Sequence, residues 1–444
     1  MNASFLRARA DVHLPFRRRA VRSSRAALLT LALAWLAASA SSVAQTAPLG
    51  ANVDDLLEYA RANNPEIASL RHEADAASER IGPAGALPDP VLRVELENIT
   101  NHGSDAAPSL WPSKVGDTKY TLMQALPAWG KRDLRRDVAV ADAHQAEARA
   151  TALWSDLSAR IKIAYAQYYL AVGNERLTRE VLDLVVRLER VAQARYAGGL
   201  APQQDAIRAQ LEQSAMRSEL IGLESDQRTQ RARLNALLAR DPVAALAEPQ
   251  SLRPLPPAGV LSGPALLARA RSVNPKLFAE QARVESARKN QELTLRNRYP
   301  DITVGVSPTQ TGSRVNTWGV MFEVNIPLQQ APRRSQEREA LALLDAAQAR
   351  ADATANELAG ELTQRLAALE AARQTESLIK TNLLPQADLS LRSALAAYEN
   401  GKVDFATLLE AQRQIRKARQ DLLKVQTEAQ LQLAELERMV GEAL

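Results

Sequence analysis

Residues 194–205 have the sequence ARYAGGLAPQQD, and residues 397–405 repeat its plan as AYENGKVDF. Each stretch contains a glycine turn between two long segments of helical periodicity. The segment before each turn runs some sixty to seventy residues from a proline-marked boundary, Pro127 or Pro327, and its strongest internal interruption is Pro385. A helix of that length extends about 100 Å. Because compact domains stop growing well below this dimension, the chain is predicted to reach across a wide space.

The composition favours long helices over a thick globular core. Of 444 residues, 46% are hydrophobic and only 4% aromatic, and the apolar residues are mostly Ala and Leu. The net charge of +5 comes from residues 1–44, which hold seven Arg and one acidic residue, while the remainder carries 49 basic and 50 acidic groups. No nucleic-acid partner is therefore expected.

Residues 1–44 have the features of a secretory signal peptide. An Arg-rich start precedes an apolar run at 26–38 and a small-residue cleavage site, Ser42-Val43-Ala44. The alternative is a membrane anchor helix, but about 13 apolar residues fall short of the roughly 20 that a bilayer needs. Since the sequence has no Cys, neither disulfides nor a lipid attached to cysteine is expected.

Two hairpins of alternating polarity are predicted, at about 91–126 and 301–326. In the second hairpin one side of the last strand is apolar, with Trp318, Val320, Phe322, Val324 and Ile326. Strands of about nine residues cross a hydrocarbon layer when tilted, so this side is predicted to face lipid. An ordinary pair of soluble hairpins is the alternative.

The chain contains an internal duplication. Matching features recur at offsets of 200 to 212 residues: Asn64-Pro65 with Asn274-Pro275, Pro88-Asp89 with Pro300-Asp301, Leu126-Pro127 with Ile326-Pro327, and Tyr196 with Tyr398. The predicted organisation is a first repeat at 45–240 with its helical turn at about 196–202, a Pro-rich linker at 241–263, and a second repeat at 264–444 with its turn at about 398–404. In the first repeat, the helix that begins at Pro65 is predicted to run to Ile81 and end at the Gly82-Pro83 break.

Four strands cannot close a barrel, and lipid tolerates no open sheet edge, so a spanning sheet requires several chains to pool their strands. Residues 49–441 resemble the TolC family of outer-membrane efflux channels. The resemblance is carried by the duplicated layout and by 124–131 (QALPAWGK), 195–200 (RYAGGL), Asp205, 234–238 (LNALL), 299–301 (YPD), 398–401 (YENG) and 408–412 (LLEAQ). Residues 87–90 and 126–132 are similar to the heavy-metal efflux branch.

This resemblance implies a mainly α fold with transmembrane β-structure. Long helical hairpins would form a periplasmic α-barrel continuous with an outer-membrane β-barrel of twelve strands, four from each chain of a homotrimer. The implied function is a passive exit channel in the outer membrane of a Gram-negative cell, with a periplasmic adaptor and an inner-membrane RND-type pump as partners. A periplasmic coiled-coil scaffold without a barrel is the alternative, and the alternating hairpins argue against it.

The resemblance also implies site residues. Glu410 lies nine residues after Gly401, where the family carries a carboxylate that narrows the periplasmic mouth, and Thr407 occupies a second gate position. An ordinary exposed helical Glu is the alternative for Glu410. The two turns are predicted to lie together, because each long helical segment leaves a strand hairpin and runs its full length before turning. They would dock the adaptor through Gly198, Gly199, Leu200, Gly401, Lys402 and Val403, with Leu200 and Val403 supplying the apolar contact. Asp205 and Asp404, just after the turns, are predicted to cap their helices.

No catalytic set can be assembled, so no enzyme activity is expected. His72, His102 and His144 stand apart from one another, and without Cys they form no metal-ligand motif. The Gly198-Gly199 pair follows a helix and serves a turn, where a phosphate-binding loop would follow a strand. No cofactor or metal site is expected.

Overall fold

The computed structural model describes residues 49–99, 110–112, 115–257, 259 and 261–444. The predicted signal peptide with its cleavage site, and His102, lie outside these residues. The described part is mainly helical with a four-stranded antiparallel sheet. Its elements are α1 Val53–Asn63, α2 Pro65–Glu79, α3 Ile81–Gly85, β1 Val91–Glu97, β2 Asp117–Leu126, α4 Lys131–Ala197, α5 Gln203–Leu237, α6 Gly263–Val273, α7 Pro275–Arg296, β3 Ile302–Thr311, β4 Arg314–Val324, α8 Gln330–Leu378, α9 Leu384–Glu399 and α10 Phe405–Val440.

The two predicted rods are present. Helix α4 is 67 residues long, about 100 Å at the helical rise. In the second rod α8 continues into α9 through five residues of π-helix, Ile379–Leu383. Pro385 lies in the first turn of α9. A proline cannot donate to the preceding turn, and the wider π turn before it lets the rod continue where the sequence suggested an interruption.

The helix predicted to end at Gly82-Pro83 is divided differently. Helix α2 ends at Glu79, and Gly82 and Pro83 lie inside the short helix α3. The boundary prediction was therefore wrong by a few residues. Pro83 is in the first turn of α3, where an N–H would have no helical acceptor, so it costs no hydrogen bond there.

The two hairpins join into a continuous sheet of order β1-β2-β3-β4. The junction between the repeats is β2 with β3, where Leu126 lies opposite Ile302. Ile302 in turn lies opposite Val324. All the helical connections therefore leave the sheet at the same end. Strands β1 and β4 are its edges, unpaired within the described residues.

The predicted last strand was two residues too long. Strand β4 ends at Val324, so Ile326 lies two residues beyond it, although its side chain is exposed. The N–H of Asn325 still donates to the carbonyl of Asp301 opposite it, but Pro327 has no N–H to donate, so the pairing goes no further.

The duplication is visible in matching helix caps. Asn64 accepts a hydrogen bond from the N–H of Glu66 (2.8 Å) and donates from its amide to the carbonyl of Leu237 (3.0 Å). Asn274 likewise accepts from the N–H of Leu277 (2.8 Å) and donates to the carbonyl of Met439 (2.7 Å). In both repeats an Asn-Pro pair therefore starts a helix and fastens it to the end of the repeat's last helix.

The Pro-rich linker lies against the middle of the helices. The Tyr165 hydroxyl donates to the carbonyls of Ala51 (2.7 Å) and Ser251 (3.1 Å). Glu437, which is buried, pairs with Arg253 of the linker (3.0 Å) and Lys162 of α4 (2.8 Å). Burial alone would raise the pKa of Glu437, yet the hydrogen bonds and charges of these two cations hold it below its usual value. None of the helices in the described part is both long and apolar enough to span a bilayer.

Candidate functional site

The two helical turns share one backbone geometry. At the first, the N–H of Leu200 donates to the carbonyl of Arg195 (2.8 Å) and that of Gly199 to the carbonyl of Tyr196 (2.9 Å). This pair of bonds is the Schellman motif, which requires a left-handed residue after the helix. Gly199 supplies it with φ of +70°. The turn chemistry predicted from the glycines is confirmed.

The second turn repeats this pattern. The N–H of Lys402 donates to the carbonyl of Ala397 (2.8 Å), that of Gly401 donates to the carbonyl of Tyr398 (3.0 Å), and Gly401 also has φ of +70°. A Cβ on Gly401 would lie 3.2 Å from Nη2 of Arg195, whereas one on Gly199 would have no neighbour within 4 Å. The second turn is therefore packed against the end of α4, beside the first turn.

The turns lie together, as the sequence predicted. Arg195 donates from Nη1 to the carbonyl of Glu399 (2.7 Å), and its guanidinium lies over the ring of Tyr398. Tyr398 also meets Phe405 edge to face, with ring centroids 5.4 Å apart. A buried cluster of Leu and Ala from α4, α5, α9 and α10 surrounds these rings. We call this group the turn cluster.

Asp205 does not cap α5 as predicted. Pro202 occupies the cap position, and Asp205 is buried in the first turn of the helix. Its carboxylate instead accepts a long hydrogen bond from the hydroxyl of Tyr398 (3.4 Å). Burial and the nearby carboxylate raise the pKa of Tyr398 to about 12, so this phenol stays neutral over the ordinary pH range.

Asp404 is the helix cap that the sequence predicted. Its carboxylate accepts from the N–H of Thr407 (2.9 Å) and from the Thr407 hydroxyl (2.6 Å). These hydrogen bonds favour the charged form and lower the pKa of Asp404. Thr407, predicted at a gate position, is thus engaged in the cap at the start of α10.

Glu410 lies on the exposed side of α10, between the buried residues Leu409 and Ala411. It accepts a hydrogen bond from the side-chain amide of Gln414 (3.3 Å). Its neighbour Arg413 pairs instead with Glu212 of α5 (2.5 Å). Glu410 therefore remains available to face other copies of the chain, and its gate role stays a prediction.

The residues of the turns that are predicted to dock the adaptor differ in exposure. Leu200 is 72% exposed, and Gly198, Gly199, Gly401 and Lys402 are also exposed. Val403 is half-buried and packs on the turn cluster. The apolar contact predicted for the pair thus rests mainly on Leu200 in the folded chain.

A second candidate surface is one face of the sheet. In β4, Trp318 and Phe322 are 72% and 74% exposed, and Val320 and Val324 on the same face are also exposed. Residues opposite each other in an antiparallel sheet share a face. The pairing therefore continues this apolar face across all four strands, through Ile302, Val306, Leu122, Leu126, Leu92 and Val94. Exposed apolar surface of this extent indicates a covering partner or lipid.

The family model for outer membrane efflux proteins matches residues 56–240 and 266–442. The chain belongs to this family. The two matched segments fall in the two repeats, so the duplicated order of helices and strands belongs to the family's architecture. It is a family of channel and transport proteins and not of enzymes.

Individual proteins resemble the chain over most of its length. The cobalt-zinc-cadmium resistance protein CzcC of Cupriavidus metallidurans is 23% identical over 391 residues, covering 87% of this chain and 88% of CzcC. VceC of Vibrio cholerae has a TM-score of 0.74 at 19% identity, covering 88% of this chain and 96% of VceC. CusC has a TM-score of 0.74 at 17% identity, covering 88% and 92%. At these identities the structural likeness shows the fold.

Some residues at the turns of this outer membrane efflux protein were missed by sequence reasoning. Arg195 and Tyr398 were noted only as turn motif, and their contact joins positions 203 residues apart. Gln412 is fully buried in α10, and its side-chain amide has no partner within the described part of the chain. The heptad position of Gln412 beside Leu408 and Ile415 was the available signal for its burial.

The structure gives no metal site among the residues it describes, since they contain no group of three or more His, Asp or Glu placed to hold an ion. His72 is exposed beside Asp75, at 3.8 Å. His144 is also exposed on α4.

Proposed function

We propose that this chain is the trimeric outer-membrane exit channel of a tripartite efflux system. Three copies would join their sheets edge to edge into a twelve-stranded barrel, continuous with a periplasmic tunnel of helices. The observation that carries the proposal is the four-stranded sheet with an exposed apolar face and two free edges, attached to helices of about 100 Å. A free edge in lipid is not tolerated, and closure with two further copies removes it.

In this proposal the channel conducts passively. A periplasmic adaptor docks at the turns, an RND-type pump in the inner membrane supplies the driving force, and Glu410 with Thr407 lines the periplasmic mouth. Three copies of Glu410 around the axis favour cations. The chain would be cleaved after Ala44, leaving repeats at 45–240 and 264–444 around the 241–263 linker.

The proposed cargo is heavy-metal cations. The support is the likeness to CzcC, whose name refers to cobalt, zinc and cadmium resistance. A cation-favouring mouth agrees with this cargo. A passive channel need not coordinate the ion, so the proposal requires no metal-ligand set.

The test combines assembly, conductance and resistance. The purified protein should run as a trimer, resist extraction from membranes by urea, and form channels in a planar bilayer. Expressed with a matched RND-type pump and adaptor in a strain lacking exit channels, it should restore growth on cobalt, zinc or cadmium salts. Extraction by urea and absence of conductance would favour the coiled-coil scaffold. Channel formation without metal resistance would overturn only the cargo.

A further inference from the structure

The end of the sheet where the helices attach carries a concentration of positive charge. Residues 129–138, 295–301 and 329–339 contain nine basic and five acidic side chains. The pairing of Leu126, Ile302 and Val324 places all three segments at this end. We call them the collar. Outside the collar, the chain after residue 44 carries 40 basic and 45 acidic groups, so the collar differs in sign from the rest of the chain.

Some of these basic side chains form ion pairs and hydrogen bonds between the three segments of the collar. Lys131 is buried and pairs with Asp301 (2.8 Å) while donating to the carbonyl of Tyr299 (2.9 Å). Arg298 pairs with Glu337 (2.6 Å). Arg333 donates to the carbonyl of Asn297. These contacts connect the starts of α4 and α8 with the residues that follow α7.

Other basic groups remain unpaired. Arg135, Arg136 and Arg334 are exposed and have no ion pair within the described residues. Helices α4 and α8 also begin here, so the partial positive charge of their N-termini adds to the field. A surface with this excess of basic over acidic groups is complementary to anionic groups.

An aromatic side chain lies in the same collar. Trp129, three residues after β2, is 93% exposed. It follows Leu126 of the apolar sheet face, so it lies where that face ends. Trp side chains are enriched at the headgroup level of membranes, where an apolar ring and a polar N–H are both satisfied. Trp129 thus marks the level of the collar as the membrane boundary.

We infer that the collar binds the headgroups of anionic phospholipids in the inner leaflet of the membrane, with Arg135, Arg136 and Arg334 at the phosphates and Trp129 among the glycerol backbones. This inference rests on the proposed insertion of the sheet. A docking protein is less suited to this place, because the turns lie about one α4 length away, about 100 Å. Each basic residue beside a bilayer attracts anionic lipid, and the attractions of several such residues add up.

The test uses brominated lipids, which quench tryptophan fluorescence on contact. Replacing Trp111, Trp154 and Trp318 with Phe leaves Trp129 as the sole tryptophan of residues 45–444. The full channel is placed in vesicles of equal phosphatidylglycerol and phosphatidylcholine, with bromine on one lipid or on the other. Brominated phosphatidylglycerol should quench Trp129 at least about twofold more, and high salt should reduce the difference.

Two variants decide the assignment. Arg135→Gln with Arg136→Gln and Arg334→Gln should abolish the preference and leave total quenching unchanged. The charge-matched control Arg187→Gln with Arg190→Gln and Arg228→Gln, at exposed sites on α4 and α5 away from the collar, should keep it. Equal quenching of Trp129 by both lipids in the unaltered collar, or loss of preference in the control, overturns the inference.

A further variant keeps Trp318 as the sole tryptophan and reports insertion itself. Quenching of Trp318 with no lipid preference at Trp129 overturns the collar alone. No quenching of Trp318 overturns the membrane-spanning sheet and the collar with it. Inorganic phosphate added to the vesicles should not restore or mimic the preference, because the site recognises a headgroup held in the bilayer.

Discussion

Arg195, at the end of α4, lies over the ring of Tyr398, at the end of α9, with its guanidinium carbon 5.1 Å from the ring centroid. The same guanidinium donates to the carbonyl of Glu399. One side chain of the first repeat therefore fastens the turn of the second repeat, so the two proposed docking turns form one surface.

Replacing Arg195 with Gln should loosen the second turn. A cation–π contact contributes about 0.5–1 kcal/mol at an exposed site, and a charged hydrogen bond about 1.5–3 kcal/mol. Amide hydrogen exchange at Gly401 and Lys402 should therefore be at least about tenfold faster. Arg190→Gln, on the same helix and exposed, should leave these amides unchanged. Equal exchange in both variants would show that Arg195 does not hold the turn.

Tyr398 should respond to alkaline pH. Its pKa is raised to about 12 by burial and by Asp205. Because the fold holds the phenol neutral, its stabilising contribution is complete below about pH 10 and is lost as the pH rises toward 12. In a titration of tyrosinate absorbance, Tyr398→Phe should remove one group ionising near pH 12. An unchanged late step in Tyr398→Phe would contradict the buried, neutral phenol.

The face of β4 that we propose meets lipid can be tested by adding charge. Val320→Arg should reduce assembly in the outer membrane, because Arg near mid-membrane on a lipid-facing site costs about 2–4 kcal/mol. Thr317→Arg adds the same charge to the opposite face of the strand and should be tolerated. The measurement is the fraction of urea-resistant trimer in isolated membranes. Normal assembly of Val320→Arg would reverse the assignment of the two faces.

The docking role of the turns is best tested at Gly199. Its φ of +70° is a conformation that Asn and Asp tolerate better than other side chains, and a Cβ there meets open space. Gly199→Asn should therefore preserve efflux, whereas Gly199→Asp places a charge on the docking surface. We expect the Asp variant to form a normal trimer with lost adaptor crosslinks and lost resistance. Normal crosslinks and resistance in Gly199→Asp would remove the turn from the mechanism.

The gate role of Glu410 can be divided into charge and size. Glu410→Gln should weaken the cation preference of the isolated trimer in a planar bilayer with little change in conductance. Glu410→Ala should weaken the preference and also raise the conductance, because it removes bulk from the mouth. If both variants match the parent channel, Glu410 is an ordinary exposed helical residue.

The sequence by itself determined the local elements and their order. Heptad periodicity predicts the long helices, Gly199 and Gly401 predict the turns, and Asn64-Pro65 and Asn274-Pro275 predict helix starts. These signals suffice because backbone preference and side-chain period act over a few residues. The offset between matching features revealed the duplication, and the alternation from Trp318 to Val324 predicted an apolar strand face.

Only the tertiary structure decided which distant residues meet. Asp205 matched a capping position, yet burial beside Tyr398 gave it another partner. Strand β4 ends at Val324, before Ile326, and the pairing of β2 with β3 joins the repeats. The collar, likewise, is three separate segments until the sheet gathers their ends. Contacts of this kind depend on packing between elements far apart in the chain, which no local periodicity records.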